Sequence, residues 1–231
     1  MKYINVNSVL ELLAKSEMNV FTVIDFAKII NKSTAYASLI LSKNKKAHRL
    51  SKGIYYIDNA DVYEKASNIL FPCYISLSAA LQYYELIDQN IVRYTVITTK
   101  RHRGINIKEG YVEFITLSKE RVFGYALKKG SYIAELEKVF VDCLYFNSPN
   151  FDQILSSFSN AINDKNIDIK KFKEYGIKMK SKVLINKIGF LLELNNINAE
   201  DLHNFIYKSN YIELEKGAKT KDRRWLILYD R

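Results

Sequence analysis

Cysteine is scarce in this chain: Cys73 and Cys143 are the only two in 231 residues. Two are too few for a disulfide framework and lack the spacing of a zinc site. Long apolar runs are missing as well, since no uninterrupted stretch approaches the ~20 residues that span a bilayer. The segment MKYINVNSVLELLAKSE carries charges inside its apolar stretch and no small-residue cleavage site, so no signal peptide is expected. His48, His102 and His203 are scattered, and none has a Cys or His partner at metal-ligand spacing. Neither a Gly-x-Ser-x-Gly elbow nor a phosphate-binding Gly-x-x-x-x-Gly-Lys-Ser/Thr loop occurs. No metal and no cofactor is therefore expected. The composition, 48% hydrophobic and 26% charged, is ordinary for a globular chain and excludes disorder for most of it. A soluble, cytoplasmic protein is expected.

What the chain has is positive charge, 35 Lys and Arg against 25 Asp and Glu, and it is unevenly spread. Residues 1–57 hold nine basic and three acidic side chains, a net of +6, whereas residues 58–231 hold 26 and 22, a net of only +4. Within LSKNKKAHRLSK (41–52), Lys43, Lys45, Lys46, Arg49 and Lys52 stand without a single acid. Such a cluster repels itself unless an anion covers it, which suits nucleic acid or acidic lipid. A bare run of lysines is more often a solvated surface. The structure in which the run sits decides between them.

Three helix starts are marked in the first 35 residues. Ser8 to Glu11 fits a capping box, with Val9, Leu10, Leu12 and Leu13 as an apolar face. Thr22 to Asp25 repeats the pattern before Phe26, Ala27, Ile29 and Ile30. Asn31, Lys32, Ser33 and Thr34 then form a short polar turn, and Ser33 is placed to cap a third helix running to about Lys45. Two helices joined by so short a turn have helix-turn-helix spacing. The third helix is expected to bury Tyr36, Ala37, Ile40 and Leu41 and to expose Thr34, Ser38, Ser42 and Lys45. Leu39 falls outside that apolar face, so a second rotation stays open. It would put Ala35 and Leu39 in the core and leave Tyr36, Ile40 and Lys43 outward. After the helix, 47–50 and 54–57 read as two strands around a turn at Gly53, a hairpin with basic residues near its tip.

Helix, helix, helix and basic hairpin is the order of a winged helix-turn-helix. Residues 1–57 are therefore expected to bind double-stranded DNA through Lys32, Ser33, Thr34, Ser38, Ser42, Lys43, Lys45, Lys46, His48, Arg49 and Lys52. Beyond it, 59–71 and 76–86 read as helices, 92–99 and 111–117 as strands, and 134–145 as a helix. Residues 150–209 read as mostly helical, with breaks near 164–166 and Gly176, and 211–214 and 224–229 as closing strands. The fold class is α+β, a winged helix-turn-helix followed by a mixed α/β domain over 58–231. Lys100, Arg101, His102 and Arg103 make a second basic patch, and Lys219, Lys221, Arg223 and Arg224 a third; each reads as a nucleic-acid contact or as a solvated loop.

Several segments resemble, in the same order, those of the AbiEi-type antitoxins, the abortive-infection regulators also described as transcriptional regulators of viral defence. The pieces are RLSKGIYYI (49–57), YISLSAALQYYEL (74–86), YTVITTKRHRG (94–104), Phe123-Gly124, AELEKVFVDCLYF (134–146), IGFLLEL (188–194) and RRWLILY (223–229). Asn44 departs from the expected apolar residue, which would loosen the packing beneath the hairpin. The resemblance implies a DNA-binding domain that represses its own operon and a C-terminal antitoxin domain over 58–231. The implied partners are operator DNA and a nucleotidyltransferase-like toxin, with a homodimer as a further expectation and no membrane. Glu137, Lys138 and Asp142 match the family's charged helix motif. Gly130-Ser131 with Glu135 and Glu137 does not make a nucleotidyltransferase centre, because paired carboxylates on a downstream strand are wanting. The acids fall on a helix start, where they favour its dipole, and Lys138 with Asp142 reads as an i,i+4 salt bridge. Catalysis is not expected. The reading from another class is a protein-interaction module, with the winged helix binding protein.

Overall fold

The computed structural model describes residues 5–164 and 167–230 and shows a mixed α+β chain. It forms two compact units. The first takes residues up to Ile75, Val92–Thr116 and Ala126–Ile133, and the second takes Ser76–Ile91, Leu117–Tyr125 and the chain from Ala134 on.

In the first unit the elements begin α1 (Val6–Lys15), β1 (Val20–Thr22), α2 (Val23–Ile29), α3 (Thr34–Lys43), β2 (Ala47–Ser51) and β3 (Ile54–Ile57). Helix α1 starts earlier than the Ser8 motif suggests. Asn5 is the cap, its side chain accepting from the Ser8 N–H at 3.3 Å. At α2 the expected capping box is present, with Thr22 Oγ1 accepting from Asp25 N at 3.1 Å and Asp25 accepting from Thr22 N at 3.3 Å. The three strands form one antiparallel sheet in the order β1-β3-β2, with Phe21 opposite Tyr55 and Arg49 opposite Tyr55 on the other side. The hairpin turns at Lys52 and Gly53, and Gly53 has a φ of 76°, where a glycine carries no Cβ penalty. Leu10, Leu13, Phe21, Phe26, Ala27, Ile30, Ala37, Leu41, Ala47, Tyr55 and Ile57 pack into one core contained in this stretch.

Where a helix over 59–71 is expected, only α4 (Val62–Ser67) forms, capped by Asp61. A three-residue strand, β4 (Cys73–Ile75), follows, too short to show a period. It joins β5 (Arg93–Thr98), β6 (Ile105–Ile107), β7 (Gly110–Thr116), β8 (Tyr125–Lys128) and β9 (Ser131–Ala134) in a sheet ordered β6-β7-β5-β4-β9-β8. Strands β5 and β7 are the two strands expected over 92–99 and 111–117, and they pair with each other in parallel. Glu64 of α4 is 3% exposed and accepts from both the backbone N–H and the side-chain amide of Asn19, each at 2.9 Å. Burial, partly offset by those bonds, raises its carboxyl above the usual range.

The second unit is built around α6 (Leu136–Phe146), which packs against α5 (Leu77–Tyr83), α7 (Phe151–Asn163), α8 (Ile169–Lys178) and α9 (Lys182–Leu194). Gly176 does not break its helix. It lies inside α8, where an added Cβ would come 2.3 Å from Ile188 Cδ1, so its smallness lets α8 lie on α9. The chain turns instead at Lys180, with a φ of 51°. Helix α7 ends at Asn163 as expected; the rest of the expected break, Lys165 and Asn166, lies outside the described residues. A small sheet of β10 (Ile212–Glu213), β11 (Thr220–Asp222) and β12 (Ile227–Tyr229) closes the unit in the order β10-β12-β11. The expected strand over 224–229 is shorter, because its first residues form the turn from β11 into β12.

Candidate nucleic-acid interface

The turn between α2 and α3 is set by two residues. Asn31 takes a left-handed φ of 51°, and Ser33 caps α3 by accepting from Tyr36 N at 3.2 Å. Ala37 and Leu41 are fully buried, which fixes the rotation of α3. The second rotation is thereby overturned: Ala35 and Leu39 are exposed, and Ile40 is half-buried against the core. The first needs one correction, because Tyr36 is 44% exposed rather than inward. On a helix of about 100° per residue, Tyr36 sits too far round from Ala37 and Leu41 to reach the core.

Helix α3 stops at Lys43, so Lys45 lies in the turn beyond it and not on the helix face. Asn44 explains the stop. Its backbone is extended, its side-chain oxygen accepts from Lys46 N at 2.8 Å, and its amide donates to Asn7 at 3.0 Å. The polar residue that looked like a packing fault is a helix cap.

The other expected site residues lie between the turn before α3 and the hairpin tip. Lys32, Ser33, Thr34, Ser38, Ser42 and Lys43 are exposed at the start of α3 or along it. Lys45 and Lys46 are exposed in the following turn, Arg49 is exposed on β2 and Lys52 at the hairpin tip, while His48 is half-buried. The tip is held close to α2, since Val23 N–H donates to Gly53 O at 2.8 Å. Lys46 and His48 each have an acidic partner outside the basic run. Lys46 lies 3.7 Å from Glu11 of α1, and His48 Nε2 lies 2.7 Å from Asp58 beyond β3. Lys32, Lys43, Lys45, Arg49 and Lys52 make no ion pair among the described residues. Three of the hydroxyls have partners within the protein that spacing could not reveal. Ser42 donates to Leu39 O at 2.9 Å, Ser38 Oγ lies 3.4 Å from Tyr55 Oη, and Ser33 is the cap. The first rotation put the hydroxyls at the centre of the exposed face; Leu39, which it left outside the apolar face, and Tyr36, which only the second rotation turned outward, are both exposed.

Lys100, Arg101 and Arg103 are exposed in the loop between β5 and β6, within the first compact unit. His102 beside them packs edge-on to Phe114. In the late cluster, Arg224 is absorbed by Glu193 at 2.7 Å and Glu200 at 3.7 Å, while Lys219, Lys221 and Arg223 remain exposed.

Other charged groups lie inside the second unit. Lys138 and Asp142 form an ion pair with neither side chain exposed, and Ser76 Oγ donates to the second Asp142 oxygen at 2.9 Å. Burial lowers the Lys138 ammonium below its usual value, and Asp142 pulls it back. Lys171 bridges Glu135 at 3.4 Å and Glu137 at 3.1 Å, and Tyr175 donates to Glu135. Lys187 has neutral partners, Leu144 O at 3.1 Å and Asn147 Oδ1 at 2.6 Å, and burial pushes its ammonium down to about 8. No group of three or more His, Cys, Asp and Glu is placed to hold a metal ion among the described residues. Nor is any helix among them long and apolar enough to cross a membrane. No protein-family model matches the chain, and no curated protein matches it either.

Proposed function

We propose that this chain is a DNA-binding autorepressor and antitoxin of an abortive-infection toxin–antitoxin system, with residues 1–57 acting as a winged helix-turn-helix. One observation carries the DNA-binding part. Helix α3 is anchored by Ala37 and Leu41, turns its opposite face outward, and has Lys32, Lys43, Lys45, Arg49 and Lys52 around it without ion pairs among the described residues. The order helix, strand, helix, helix, hairpin, with β1 paired to the second hairpin strand, supports the same reading. Such a helix would enter the major groove while the hairpin lysine and arginine meet the phosphates. Bound over its own promoter, the chain would exclude polymerase. The antitoxin part rests on the ordered segments shared with the AbiEi-type antitoxins, and its partner would be a nucleotidyltransferase-like toxin encoded beside it.

The test is a binding titration of the full chain on DNA from upstream of its own operon, repeated across a salt series. Affinity should fall steeply with salt, and replacing Arg49 and Lys52 by Glu should lower the logarithmic slope by about two, through counterion release. An unchanged slope removes the hairpin from the interface. Co-expression with the product of the adjacent gene tests the antitoxin part, the expected result being relief of growth arrest.

A further inference from the structure

We infer that the outward face of α3 reads thymine, the C5-methyl groups of a major-groove site seating against Ala35 and Leu39. The inference rests on the DNA-binding reading above and names what that site recognises. It begins from the rotation of the helix. With Ala37 and Leu41 buried, the residues most nearly opposite the core are Leu39 and, one turn to either side of it, Ala35 and Lys43, all exposed, and Leu39 keeps 51% of its surface in water. Of the hydroxyls expected to do the reading, Ser42 donates to Leu39 O and Ser38 lies beside Tyr55, while Thr34 sits at the helix start, on the side nearer the core. At the middle of its outward face the helix presents Leu39, with Ala35 one turn before it and Lys43 one turn after it.

In the major groove the apolar group on a base edge is the thymine methyl; guanine and cytosine present acceptors and donors that a leucine would desolvate without pairing. Ala35 and Leu39 are four residues apart, about 6 Å along the helix axis. That is close to two base steps of about 3.4 Å. Charge complementarity favours DNA over a protein as the occupant. Lys32 and Lys43 stand beside the apolar pair with no acid bonded to them among the described residues, as phosphate contacts require.

The test uses the full chain and duplexes enriched from a random library, with each thymine then replaced singly by deoxyuridine, which lacks only the methyl. At one or two positions the replacement should cost about fourfold in affinity, the value of one buried methyl-sized group. In the exposed-site variant Leu39→Ser that loss should shrink towards nothing at one of them, while the salt dependence is kept. If deoxyuridine binds as well as thymine at every position, or the loss is the same in Leu39→Ser, the thymine reading is overturned and the DNA-binding proposal stands. Failure to enrich any duplex, with no salt-dependent binding, overturns both. A change from dimer to monomer on Leu39→Ser, seen by sedimentation, would assign this face to a second copy and overturn the inference as well.

Discussion

Individual side chains in the second unit carry energetic consequences that their sequence neighbours do not announce. Lys138 and Asp142 are i,i+4 on α6, a spacing that on a surface helix contributes a few tenths of a kcal/mol. Here both are fully buried, so removing one partner leaves the other's charge buried without its counter-charge. Asp142→Ala should cost about 3–5 kcal/mol, whereas Lys138→Met with Asp142→Leu should recover most of it. Urea midpoints decide the matter, and equal losses in the two variants would contradict the ion-pair account. Lys187 gives a prediction in pH. Its ammonium titrates near 8 in the folded chain against 10.5 for an ordinary lysine, so between those values the unfolded chain binds more protons. A penalty of about 3 kcal/mol is then fully present below pH 8 and disappears as pH rises towards 10.5. Wild-type stability measured against Lys187→Met should rise across that window; a flat difference would mean that the amine is solvated.

At the scale of elements, glycine acts twice as a packing residue where a breaker was expected or no role was legible. Gly176 admits Ile188, and Gly189 in α9 admits the ring of Trp225, to which an added Cβ would come within 2.1 Å. Trp225 is fully buried, stacks on His203 at 4.3 Å, and its carbonyl accepts from Asn186 at 2.7 Å. This contact gives a physical reason for a glycine in IGFLLEL and a tryptophan in RRWLILY within one chain. Gly189→Ala improves helix propensity by about 1 kcal/mol, yet the overpacking costs roughly 1–3 kcal/mol. A net drop in melting temperature is expected, and it should largely vanish in a Trp225→Leu background. Additive effects in that double-mutant cycle would argue that the ring simply moves aside.

For the whole molecule, residues 6–57 contain their own buried cluster, from Leu10 to Ile57, although they belong to a larger compact unit. A fragment of residues 1–60 should therefore unfold cooperatively on heating, but at low temperature, since a chain of about 60 residues buries only a modest share of its surface. Part of its support is lost with Glu64, which accepts two bonds from Asn19. A gradual, non-cooperative melt followed by circular dichroism would show that this core needs the rest of the unit.

Local signals were legible in the sequence: the caps at Thr22 and Ser33, the glycine turn of the hairpin, the basic run over 41–52, the β-branched strand β5, the alternating strand β7, and the helix class of α6. Each depends on residues within one turn or one strand of each other, which is why spacing revealed them. Contacts distant along the chain were decided by tertiary structure alone. Glu11 and Asp58 reach Lys46 and His48 because α1 and the chain after β3 pack beside the hairpin. The rotation of α3 left Tyr36 outward, because its weakly amphipathic composition allowed two faces and only burial of Ala37 and Leu41 chose between them. Strands β4, β6, β8 and β9, each of three or four residues, are too short for a period to register, and pairing with neighbours makes them strands. The sequence determined where charge and helix ends lie; packing determined which charges remain unpaired and which face they surround, because burial and pairing depend on neighbours that a one-dimensional pattern does not contain.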